Sequence, residues 1–73
     1  MIILNTTVTT NPSAFRDAFV VKEGEVFDAG DYADEMGLWV HELDDQDIKA
    51  AQHKASQLNP GEFLVITHED DEE

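Results

Sequence analysis

The longest purely apolar stretches of this chain are three runs of four, residues 1–4, 18–21 and 63–66, each no longer than a short strand. A membrane span needs about 20 apolar residues, so none of them serves as one. A core must instead be assembled by bringing these runs together, with Phe15, Phe19, Phe27, Tyr32, Trp39 and Phe63 spread along the chain to help fill it. That distribution argues for a fold in a composition whose acidity alone would suggest disorder. At 73 residues with no cysteine, the chain makes one domain, near the lower size at which a core holds without disulfides or metal. The lack of cysteine fits a reducing compartment, and no basic start followed by a long apolar segment marks a signal peptide. A soluble, cytoplasmic protein is expected.

The runs and the turn residues between them predict strands at both ends and helices in the middle. Residues 2–10 are rich in β-branched side chains, and Asn11-Pro12-Ser13 closes them with turn chemistry. Residues 17–22 alternate, with Phe19 and Val21 on one face, until Glu23-Gly24 interrupts. The link between these two strands is short for a parallel crossover, so antiparallel pairing is expected. Asp28 suits an N-cap and Gly37 a C-terminal stop, which puts a helix of about two turns between them. Asp44 or Asp45 caps a longer helix on which Ile48, Ala51, Ala55 and Leu58 form one apolar stripe, ended by Asn59-Pro60-Gly61. Residues 62–67 are the third strand. The expected fold is α+β, ββααβ: a three-stranded, mainly antiparallel sheet with both helices packed on one face, spanning residues 1–68 and followed by an acidic tail at 69–73.

Charge sets the second constraint. Seventeen Asp and Glu against four Lys and Arg leave a formal net charge of −13. Ten of those carboxylates, Glu23, Glu25, Asp28, Asp31, Asp34, Glu35, Glu42, Asp44, Asp45 and Asp47, fall in residues 23–47 without one Lys or Arg among them. Solubility asks for a net charge of magnitude only about 2–8 in a small domain, and more than that works against the compact state. Such a field attracts basic partners, of which nucleic-acid-binding surfaces are the most basic, although a halophile-like, merely solvated surface has the same composition. On the first helix Asp31, Asp34 and Glu35 stand three and four residues apart, where like charges destabilise by a few tenths of a kcal/mol each. The N-terminal dipole rationalises Asp28 and Asp31 but not Asp34 and Glu35. Tyr32, among them in sequence, reads either as an interface anchor or as a half-buried core tyrosine.

Other chemistry is poorly represented. His41, His53 and His68 lie in different predicted elements, with neither metal-ligand spacing nor cysteine to complete a zinc site. Asp28-Ala29-Gly30-Asp31 lacks the alternating oxygen ligands of a calcium loop. Phosphate loops, nucleophile elbows and basic patches are missing from the sequence. No catalytic residue, cofactor or metal is expected, nor direct nucleic-acid or membrane binding, and the free protein is expected to be a monomer.

Val8-Thr9-Thr10-Asn11-Pro12, then Phe19, Val21, Gly24, Phe27-Asp28, Tyr32 and Gly37, then Lys54-Ala55, Gln57-Leu58, Gly61-Glu62 and His68-Glu69, together resemble the small phage-borne anti-CRISPR proteins that inhibit type I-F systems, the family numbered seven. The likeness runs over nearly all of residues 8–69, with a few extra residues between Val40 and Lys54 and an added acidic end. The resemblance implies a ββααβ protein, working in the cytoplasm of the bacterial host, that binds the PAM-reading large subunit of the type I-F surveillance complex and keeps target DNA out. Asp28, Tyr32 and Asp34 resemble family positions tied to the acidic binding face, and Val40 matches an apolar family position after the first helix; Ala29 and Ala33 stand where acidic residues are expected, with Asp31 and Glu35 close enough to restore the charge, and Ser13 is less acidic than its counterpart. The expected partner-binding set is Glu25, Asp28, Asp31, Tyr32, Asp34, Glu35 and Val40. The competing expectation is an acidic interaction module, or DNA mimic, against another basic nucleic-acid-binding protein.

Overall fold

The computed structural model describes residues 2–70. Along the chain come β1 (Ile2–Thr9), a 3-10 turn (Pro12–Ala14), β2 (Phe19–Lys22), α1 (Ala29–Met36), a second 3-10 turn (Val40–Glu42), α2 (Asp45–Ser56) and β3 (Phe63–Asp70). This is the expected ββααβ order. β3 continues past the expected end at residue 67 because its last residues still pair with β1, Ile2 opposite Asp70. Of the acidic end, Glu69 and Asp70 therefore belong to the strand, and residues 71–73 lie outside the described residues.

The strand order is β1-β3-β2, with β3 antiparallel to both neighbours. The expected pairing of the first two strands is thus not formed: β1 and β2 run the same way, with β3 between them. Geometry explains how so short a link permits this. β1 ends at Thr9 opposite Phe63, and β2 begins at Phe19 opposite Ile66, only three positions back along β3. The link must recover about 10 Å along the strand and about 10 Å across two strand spacings, well within the reach of residues 10–18. Asp17, expected in the second strand, sits in this link at φ 55°, a left-handed conformation that Asp tolerates and a strand does not.

The central strand carries the most buried residues. Leu64 and Ile66 point to the helix side and Val65 to the other, and all three are buried. Cross-strand partners share a face, which places Phe19 beside Ile66, Val21 beside Leu64 and Leu4 beside His68 on that same side. Onto this face pack Phe27, Tyr32, Leu43, Ala51 and Ala55, with Phe19, Ala29, Met36, Leu38, Ile48 and Leu58 around the margin. The predicted stripe of α2 does face the sheet, but its fully buried members are the two alanines, which let the helix backbone approach closely, while Ile48 is half-buried and Leu58, expected on the helix, lies half-buried just past its end at Ser56. The N-terminal end of α2 is also tied to the outer edge of β1: Leu4 N donates to Asp47 Oδ2 at 3.3 Å, and Ile2 bridges to Leu43 in parallel. These contacts cover backbone groups that an open sheet edge would offer to other strands.

Candidate protein-interaction site

Helix α1 is built between two local signals. The Asp28 side chain accepts from Gly30 N at 2.8 Å and Asp31 N at 3.3 Å, and Gly37 ends the helix in the left-handed region at φ 75°, where a side chain would be strained. Between them, Ala29, Tyr32, Ala33 and Met36 recur at helical spacing and turn inward, whereas Gly30, Asp31, Asp34 and Glu35 turn to solvent. The acidic face and the core face of this helix are therefore interleaved in sequence and separated in space.

Tyr32 belongs to the core face. Its relative exposure is 0%, so the expectation of a surface anchor is corrected: the neighbours at three- and four-residue spacing carry it inward with them. Its ring meets Phe19 at 5.4 Å and Phe27 at 5.7 Å, while Phe19 and Phe27 meet at 5.9 Å, all edge to face, the geometry that aromatic quadrupoles favour. The Tyr32 hydroxyl lies 2.7 Å from His68 Nδ1, which gives the one polar atom of this cluster a partner. Burial raises the Tyr32 phenol above its ordinary value of 10.0. Ala29 and Ala33 also pack inward, so this backbone geometry would put acidic side chains at those positions against the core.

The remaining expected residues are exposed. Glu25 follows the tight turn in which its N–H donates to Lys22 O at 3.1 Å, with Gly24 at φ 80°. Glu25, Asp28 and Asp31 line one shallow cleft of about 140 Å³ with Phe19, Val20, Val21 and Val26. Small-molecule sites begin at roughly 300 Å³, so the cleft has room for one side chain of a partner. Asp34 and Glu35 lie further along the outer face of α1, and Val40, 49% exposed, sits in the turn beyond it. Glu25, Asp28 and Asp31 are thus gathered in one concavity, while Asp34, Glu35 and Val40 extend the surface along the chain.

Several carboxylates of the acidic run serve the fold. Asp28 caps α1, Asp44 caps α2 through Gln46 N at 2.8 Å, Asp47 holds β1, and Glu42 Oε2 accepts from Trp39 N at 3.4 Å. Glu25, Asp31, Asp34 and Glu35 have no such task among the described residues. Among the described residues, no three of His, Asp and Glu gather as a metal site would require, and no helix is long and apolar enough to cross a membrane.

Trp39, expected among the aromatic residues that fill the core, lies outside it. It is 69% exposed, next to Val40, with its ring stacked against His41 at 6.1 Å and 28°. The spacing of Leu38 and Leu43 gave the available signal, because these two satisfy the local demand for core residues and leave Trp39 and Val40 outside. No protein-family model matches the chain, and no curated protein gives a significant sequence match.

Proposed function

We propose that this protein is an inhibitor that competes with DNA through its negative charge, an anti-CRISPR protein directed at the PAM-reading large subunit of the type I-F surveillance complex. The observation that carries this reading is the outer face of α1, where Asp31, Asp34 and Glu35 are exposed without a cation to offset them anywhere in residues 23–47. The helix dipole accounts for Asp31 in the first turn, but the fold does not gain from Asp34 and Glu35 beside it. A lysine- or arginine-lined DNA channel does, because carboxylates can pair with the cations that otherwise hold phosphates. Support for this particular partner comes from the sequence resemblance, and the charge alone supports a basic nucleic-acid-binding surface in general.

In the inhibitory step the protein needs no chemistry. It reaches the basic surface by long-range attraction, which at physiological salt acts over about 8 Å. It then holds the surface by charge pairs that displace water on docking.

The test is capture of labelled target DNA by purified type I-F complex. Wild type should prevent capture, and the double reversal Asp31→Lys, Asp34→Lys should not, because like charges forced together cost several kcal/mol. Both side chains are exposed, so circular dichroism should show the variant folded. Equal inhibition by the folded variant would remove the acidic face from the mechanism. Failure of wild type to bind this complex, with retention on another basic DNA-binding protein, would transfer the reading to that partner.

A further inference from the structure

We propose that Trp39, stacked on His41 and flanked by Val40, is an aromatic platform that receives an arginine side chain from the basic partner; this rests on the reading that the acidic face docks onto a basic protein surface. Three features of this turn converge. First, the indole is held outside the core: Leu38 beside it packs against the core and Leu43 is buried, while Trp39 and Val40 are 69% and 49% exposed. Second, the backbone that presents the ring is fixed, and the ring has a neighbour to lie against. The turn is closed by Glu42 N donating to Trp39 O at 3.0 Å and Leu43 N donating to Val40 O at 3.1 Å, and the His41 ring backs the indole at 28°. An indole with only two rotatable bonds loses little conformational freedom on binding, which is one reason tryptophan is enriched at interface hot spots. Third, the charge around the turn is of one sign. Glu42 Oε2 accepts from the backbone N–H of Trp39, α1 with Asp34 and Glu35 precedes the turn in sequence, Asp44 and Asp45 follow it, and no Lys or Arg intervenes.

An exposed indole in a negative field selects its contact by chemistry. A neutral apolar side chain gains nothing from the carboxylates, and an anion is repelled. A cation is attracted by both the ring face and the carboxylates. Between the two cationic side chains, the planar guanidinium stacks on an aromatic ring while its edge forks to a carboxylate, and it gives up water more readily than an ammonium. The occupant is therefore arginine in preference to lysine. In this role Trp39 supplies the aromatic contact that buried Tyr32 does not.

Trp39 is the only tryptophan in the chain, so its emission reports on this site directly. The probes are eight-residue peptides of arginine and of lysine, which carry equal charge. The expected result is that the arginine peptide perturbs Trp39 emission at a several-fold lower concentration than the lysine peptide. An equal response to both, or none to either, would overturn the proposal. On purified type I-F complex, Trp39→Ala should weaken binding by roughly fivefold or more, with Trp39→Phe intermediate, while the urea midpoint of both variants stays at wild type. Wild-type affinity in Trp39→Ala would equally overturn it. If wild type does not bind that complex but the arginine peptide is selected, the platform stands and the proposed partner is wrong.

Discussion

The two helices start alike and end differently. Both are capped by an Asp side chain, Asp28 on α1 and Asp44 on α2, and both carry acid in the first turn, Asp31 in one and Asp45 and Asp47 in the other. Helix α2 then finishes with His53 and Lys54 in its last turn, whereas α1 has no basic residue there. Acid at the start and base at the end complement the helix dipole by about 0.3–1 kcal/mol per well-placed charge. The charges of α2 follow from helix physics. Those of α1 follow it through Asp31 and then oppose it at Asp34 and Glu35. The difference separates carboxylates that support the fold from those that need another explanation, and it can be probed on each side.

The largest expected effect lies beneath the acidic face. Tyr32→Ala would empty the centre of the aromatic cluster and cost about 3–5 kcal/mol, measured as a fall in the urea midpoint, so any accompanying loss of binding would report unfolding. Tyr32→Phe keeps the ring but leaves His68 without its 2.7 Å contact, for a loss of about 1 kcal/mol. The same buried phenol predicts a pH dependence. Its folded pKa is raised above the unfolded value by desolvation, so between the two the folded state binds more protons and stability falls with rising pH. The contribution is complete below the unfolded value of about 10 and is lost as pH climbs through the folded one. Alkaline titration of the urea midpoint should show this decline in wild type and a weaker one in Tyr32→Phe. Identical alkaline profiles would mean that the phenol is solvated.

The intermediate effect belongs to α2. Asp44→Ala removes the side-chain acceptor of Gln46 N and should cost about 1 kcal/mol of stability. Binding to a basic partner should change little, since the lost carboxylate is occupied with the backbone. A large binding defect in a stable Asp44→Ala protein would show that the cap also contacts the partner and would blur the contrast between the helices.

What was legible in the sequence is whatever local chemistry dictates. Asp28 with Gly37 and Asp44 with Asn59-Pro60-Gly61 delimit helices by orphan backbone groups that only caps and left-handed residues satisfy, and the structure places both helices between those signals. The stripe at Ile48, Ala51, Ala55 and Leu58 is local in the same sense. Strand order is not. Nothing within residues 2–22 specifies that β3 will arrive between β1 and β2; the hint lay far away, in the unbroken run Leu64-Val65-Ile66, which is buried on both faces as an interior strand requires. The inward position of Tyr32 is legible from Ala29, Ala33 and Met36, whereas the acidic residues between them mark the opposite face. Residues at adjacent positions on a helix point in different directions, so proximity in sequence to Asp31 and Asp34 never implied a shared surface.

The smallest effect is the sharpest test of the contrast, because its sign is unusual. Glu35 is four residues after Asp31, on the same outer face, and in the last turn of α1, where the dipole disfavours a negative charge. Glu35→Lys removes a like-charge pair, creates an acid-to-base pair in the favourable order along the helix, and places a cation at the C-terminal end. Each gain is a few tenths of a kcal/mol, so the variant should be more stable than wild type by about 0.5–1 kcal/mol in low salt, with the gain shrinking as salt rises. Its binding to a basic partner should fall. Opposite movement of stability and binding in one substitution is the signature of a residue retained against the interest of the fold. If Glu35→Lys instead lowers the urea midpoint, the carboxylate has a stabilising role, and the outer face of α1 must be counted with α2 among the charges that fold the protein.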